Sequence, residues 1–207
     1  MSTPDHDSET DHDHERVHEA VDERVARRDD WARRRRKDIP NDQRLMVVTC
    51  MDERIPVADA LGLTLGDAHI FRNAGGKVTD DVIRSAALTT NFFDTDEIVV
   101  VTHTDCGMMS ASDEAVVSGL QAQAGDLGGV DLDPALPELT IGGAGIDEWL
   151  KMTDDIDAAC TEQVEFLRSH PLVPDDVTVT GYVYEVESGE LRRPGERVAA
   201  EINTREA

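Results

Sequence analysis

Five side chains in two short segments have the types and spacing to do chemistry. The segments are Cys50-Met51-Asp52-Glu53-Arg54 and His103-Thr104-Asp105-Cys106-Gly107. Two thiolates and one imidazole are soft and borderline donors that suit a d¹⁰ ion such as Zn²⁺. Three protein ligands leave a fourth tetrahedral position open, as in catalytic zinc sites. Cys50, His103 and Cys106 are therefore the candidate metal ligands. Alternate residues of an extended segment point the same way, so Cys50, Asp52 and Arg54 can share a face. A carboxylate there can accept a hydrogen bond from a water at the open position. A guanidinium can grip that carboxylate through two N–H groups and keep it ionised. Asp52 and Arg54 are thus the candidate catalytic pair; without Arg54, the carboxylate could swing onto the metal. Each piece also has a plainer reading. Buried Cys is common and inert, His-x-x-Cys alone is a weak signal, and an Asp–Arg pair can be a surface salt bridge. A structural zinc completed by Asp52 or Asp105 is the alternative for the metal. Cys160 falls on the apolar face of a helical stretch and reads as core.

The elements that must position these residues follow from hydrophobic pattern. Leu45–Thr49, Ala68–Phe71, Ile98–Thr102 and Val177–Tyr184 are short apolar runs rich in β-branched residues, and read as strands. Alternation in the fourth predicts one more exposed face, and Ser188-Gly189 predicts a turn after it. Thr79 can cap a helix opening with Asp80 and Asp81 and burying Val82, Ile83, Ala86 and Ala87. A second helix is predicted from about Asp147 to Ser169, closed by Pro171. The segment Gly119–Gly145 is rich in Gly, Asp and Pro and reads as a surface excursion with short helical turns at most. Strands alternating with helices make an α/β fold with a central, mostly parallel sheet flanked by helices. Both candidate segments follow directly from strands. In open α/β sheets ligands bind beyond the carboxyl ends of strands where the strand order reverses.

Composition sets limits on the rest. The 207 residues carry a formal charge of −24, and only three of the twenty basic residues are Lys (Lys37, Lys77, Lys151). Such a surface repels phosphate backbones, so no nucleic-acid partner is expected. No apolar run approaches the roughly 20 residues of a membrane span. Dense acid with little Lys predicts adaptation to high salt, where the Debye length falls to about 3 Å at 1 M. Three cysteines do not make a disulfide scaffold, which predicts a reducing, cytoplasmic setting. Residues 1–15 hold six acids and three His and read as a disordered acidic tail. Residues 16–44 read as a helical arm needing a docking partner. Its Arg33–Lys37 run suits a helix C-terminus better than a nucleic acid. Residues 45–207 form the remaining domain.

The stretches CMDERIPVADALGLTLGDAHIFRNAGG, VTDDVIRSAALTT and EIVVVTHTDCGMM, and more faintly GYVYEVESGEL, resemble the β-class carbonic anhydrases, in their compact branch. The resemblance implies one Zn²⁺ per subunit held by Cys50, His103 and Cys106, with Asp52 and Arg54 as the catalytic dyad. It implies a parallel core ordered 2-1-3-4, with room for an added edge strand. It also implies a homodimer or larger homo-oligomer, embraced by the N-terminal arm. The implied activity is reversible hydration of CO₂ to bicarbonate and a proton. Alternatives are hydrolysis of CS₂ or COS on the same zinc fold, or a non-catalytic, zinc-stabilised interaction protein. Members with a second, inhibitory bicarbonate pocket carry Trp three residues before the first ligand. Here that position is Val47, so such regulation is not expected.

Overall fold

The computed structural model describes residues 41–110, 112–136 and 138–196. The expected tail, and the expected arm up to residue 40, lie outside the described residues. The apolar runs become strands β1 (Leu45–Cys50), β2 (Ala68–Asn73), β3 (Glu97–His103) and β4 (Thr178–Tyr184), each reaching one or two residues further than pattern alone shows, except that β4 starts one residue later. A fifth, β5 (Leu191–Arg192), returns after the predicted turn, where Gly189 takes φ +77°. The sheet order is β2-β1-β3-β4-β5. The first four strands are parallel and β5 runs antiparallel on β4. The chain goes from β1 outward to β2, then back across β1 to β3, so the order reverses between β1 and β3. Cys50 ends one of these neighbours and His103 the other.

Helices α1 (Val57–Leu61), α2 (Asp80–Phe92), α3 (Gly107–Ser110), α4 (Asp113–Ala124), α5 (Ile141–Ala144), α6 (Ile146–Leu150) and α7 (Ile156–Arg168) complete the described elements, with one 3₁₀ turn at Ala74–Gly76. Alternate residues of the central strands feed two apolar layers. Met46, Val48, Ile98, Val100 and Val179 pack with Val82 and Ala86 of α2 and Cys160, Val164 and Leu167 of α7. Leu45, Val47, Val99 and Val101 pack with Ile55, Val57, Cys50, Cys106 and Tyr184. Burying each such aliphatic side chain is worth roughly 1.5–3 kcal/mol, so Cys50 and Cys106 hang from well-anchored backbone. Val47 is fully buried here. Cys160 is core, as expected, with its sulfur facing the carbonyls of Val100 and Tyr182.

Two expectations fail. The helix expected over 147–169 is two helices. Lys151 ends α6 in the left-handed conformation at φ 53°, and Asp155 starts α7 by accepting from the N–H groups of Asp157 and Ala158. The excursion also opens inside a helix: its first six residues are the second half of the twelve-residue α4, capped by the Ser112 hydroxyl. None of its side chains is buried, so it carries little of the apolar periodicity by which helices are read from sequence. No helix of the described residues is long and apolar enough to cross a membrane.

Candidate metal centre

The sulfurs of Cys50 and Cys106 and a ring nitrogen of His103 lie within 4.8 Å of one another, and all three residues are buried. Cys50 is the last residue of β1 and His103 the last of β3. Cys106 follows a tight turn in which Asp105 takes φ 53°. That turn is moored to β4: Thr104 donates its N–H to the Tyr184 carbonyl at 3.0 Å, and its hydroxyl accepts from the N–H of Val186.

The donor set fits zinc on three counts. His103 Nδ1 lies 2.9 Å from the carbonyl of Thr104, which can only accept, so Nδ1 carries the proton and Nε2 presents its lone pair. His103 Nε2 is buried with no hydrogen-bond partner among the described residues, a costly arrangement unless something electrophilic faces it. One of the two sulfurs is poised to ionise. Cys50 Sγ accepts from the Cys106 thiol and from the backbone N–H groups of Asp52 and Gly75, which drives its pKa down. The same hydrogen bond, burial and the adjacent sulfur drive that of Cys106 up.

Beside this cluster, Arg54 holds Asp52 with its Nε on Oδ1 at 2.9 Å and its Nη2 on Oδ2 at 2.8 Å. The backbone N–H of Arg54 also reaches Asp52 Oδ1 at 2.9 Å. This is the expected carboxylate–guanidinium fork, but extended alternation does not produce it. The chain turns after Asp52, with Ile55 N–H on the Asp52 carbonyl, so an Asx-type turn closes the pair. The Arg54 side chain holds the Asp52 carboxyl well below the usual carboxylate range. Asp52 Oδ2 is 3.9 Å from His103 Nε2, at the edge of the ligand cluster.

Sequence reasoning missed three supports. Asp105, weighed there only as a metal ligand, binds Arg54 Nη1 at 2.6 Å, and its carbonyl accepts from Arg54 Nη2 at 2.8 Å. Arg72 donates to the carbonyls of Cys50 (2.9 Å) and Asp52 (2.5 Å), fixing the loop that carries the dyad. Asn73 clamps the Lys77 backbone from both sides at 2.8 Å, shaping the Ala74–Gly76 turn. Gly76, at φ +61°, lies against β1: a Cβ there would sit 2.8 Å from the Cys50 nitrogen. The signal for Arg72 and Asn73 was the RNAGG string itself, whose polar residues and paired glycines bracket a close backbone approach; Asp105 had no such signal.

A family described as carbonic anhydrase matches residues 45–191. The carbon disulfide hydrolase of Acidithiobacillus thiooxidans is 53% identical over 86% of this chain and 90% of its own length. β-Carbonic anhydrase 1 of Mycobacterium tuberculosis is 30% identical over 74% of this chain and 83% of its own. A solved apo structure of a carbon disulfide hydrolase superposes with a TM-score of 0.75 at 47% identity, covering 92% of this chain and 98% of that one. With the sheet order, the buried Cys–His–Cys cluster and these matches in agreement, the chain belongs to the carbonic anhydrase family, in its β class.

Proposed function

We propose that this protein is a zinc-dependent hydrolase of carbon disulfide and carbonyl sulfide. The observation that carries the choice of substrate is the 53% identity to a carbon disulfide hydrolase across most of both chains. Hydration of CO₂, the main activity implied by the motifs, becomes the second reading, supported by the 30% identity to a β-carbonic anhydrase. The three substrates are linear, isoelectronic molecules attacked at carbon, so the ligand and dyad motifs do not separate them.

The overall chemistry is two hydrolyses. CS₂ and water give COS and H₂S; COS and water give CO₂ and H₂S. Each exchanges one C=S bond for C=O and releases one sulfur as sulfide. Cys50 Sγ, His103 Nε2 and Cys106 Sγ would hold Zn²⁺, which supplies a Lewis acid able to make water nucleophilic near neutral pH. The chain contributes position and charge around that ion. His103 is locked in the tautomer that offers Nε2 by its bond to Thr104. Backbone N–H groups of Asp52 and Gly75 stabilise the Cys50 thiolate. Asp52, kept ionised by Arg54, can only accept, so it orients the attacking water by taking a hydrogen bond from it. Arg54 keeps the carboxylate from becoming a fourth ligand, and Asp105 holds the far edge of the guanidinium.

The test is sulfide release from CS₂ and from COS by zinc-loaded protein, beside stopped-flow CO₂ hydration. Catalysed sulfide release is the expected result. Fast CO₂ hydration without sulfide release would return the function to the second reading, and neither activity in fully metallated protein would remove both. Cys50→Ala is expected to lose zinc and turnover together, whereas a non-catalytic interaction protein would have no turnover to lose.

Three expectations join the proposal on sequence grounds alone: a homo-oligomer, checked by light scattering; a cytoplasmic setting, checked by fractionation; and salt adaptation. For the last, the unfolding temperature should rise by several degrees between dilute buffer and molar KCl; a flat response removes it.

A further inference from the structure

Only three lysines occur in this strongly acidic chain, yet two of them, Lys77 and Lys151, line one cavity of about 440 Å³ beside α7. They are 74 positions apart in sequence, so the fold and not local composition brings them together. The Lys77 residue is 7% exposed. Its side chain runs back over Gly75, with Cγ and Cε each 3.3 Å from where a Cβ on that glycine would sit. The ammonium groups of both lysines have no hydrogen bond or ion pair with any described residue. Burial pushes the Lys77 pKa down against the opposing pull of Cys106 and Glu162, and the Lys151 charge adds a smaller push in the same direction as burial. A third donor lines the same cavity. The Gln163 amide is oriented because its Oε1 accepts the Val78 N–H, and its Nε2 is buried with no partner among the described residues. Against these donors the lining offers one carboxylate, Glu162, so the wall is positive on balance.

Lys151 is exposed, but the buried Lys77 ammonium and the buried Gln163 Nε2 are costly to leave without an acceptor. We propose that this cavity is a binding site for a small inorganic oxyanion, of the size of sulfate or bicarbonate, held by Lys77, Lys151 and Gln163 Nε2. The ion would fill part of the space and bring bridging waters, each of about 30 Å³. The site is separate from the metal centre but adjoins it. Lys77, Thr153 and Ala159 also line a small internal cavity of about 10 Å³ bounded by His103 and Cys106.

The test is calorimetric titration of inorganic sulfate into the zinc-loaded full chain in a chloride background of constant ionic strength. One saturable sulfate per chain is expected. Lys151→Met should weaken it at least tenfold and Lys151→Arg should retain it within threefold, both with zinc content and sulfate-free turnover unchanged. Position 151 has the same backbone strain with any of these side chains, so folding does not confound the comparison. No saturable binding in the native chain overturns the inference. Native-like binding in Lys151→Met, or a loss that only follows zinc content, also overturns it by placing the sulfate elsewhere. None of these results depends on whether CS₂ is the substrate.

Discussion

Asp52 is gripped by Arg54 through both carboxylate oxygens, and Arg54 is gripped in turn by Asp105. The dyad therefore has a defined resting state, with the carboxylate drawn toward the guanidinium. Asp52→Asn keeps the size but replaces one acceptor with an N–H₂ donor facing a guanidinium that also only donates. It should retain zinc and lose about 10²-fold or more in kcat, measured on metal-quantified protein. Arg54→Ala should release the carboxylate toward the cluster, visible as an Asp52–zinc bond in a crystal, with a comparable fall in kcat. Native turnover in both variants would remove the dyad from the reaction. Cys50, His103 and Cys106 were legible as candidates because Cys is scarce in this sequence and both segments follow strands, and Asp52 and Arg54 because they alternate with Cys50. Asp105 and Arg72 were not, because charged side chains are common in this sequence and nothing in one dimension shows which carboxylate or carbonyl an arginine reaches.

The strands were readable because buried parallel strands are nearly continuous apolar runs, whereas their order and the switch between β1 and β3 followed only from the family resemblance. The helix beyond them was not read correctly. Lys151 and Asp155 break the expected 147–169 helix by backbone conformation and capping, which hydrophobic spacing does not register. Close approach is equally hidden from pattern. The Ala74–Gly76 turn presses on the end of β1 where only a hydrogen fits, at a φ that side chains avoid. Gly76→Ala should therefore destabilise the protein by about 2–3 kcal/mol. It should also push the Cys50 backbone outward, so that zinc affinity falls with the unfolding temperature. Denaturant unfolding and a chelator competition measure the two losses, and an unchanged value in both would show that the turn yields without moving β1.

Across the whole molecule, the far edge of the sheet is tied to α7 by charge. Arg192 of β5 binds Asp157 of α7 and Glu185 after β4, all of them largely screened from solvent. Arg192 lowers the pKa of Asp157 below its ordinary value. A depressed carboxylate pKa contributes stability that is complete above the unfolded value near 3.9 and fades as pH falls through the folded one. Asp157→Asn should thus cost about 2 kcal/mol at pH 7. The gap from native protein should shrink below about pH 4; a gap that stays constant in acid melts would show that packing and not charge sets it. The body is also unevenly anchored. α4 contributes no side chain to either apolar layer, whereas β1 and β3 are sealed between both. Its amide protons should consequently trade with deuterium from D₂O within minutes, while those of Val47 and Val100 wait for global opening. On this picture residues 113–124 melt and re-form many times over without disturbing the sulfur and imidazole donors. Sequence change there would be tolerated far more readily than around the candidate metal centre.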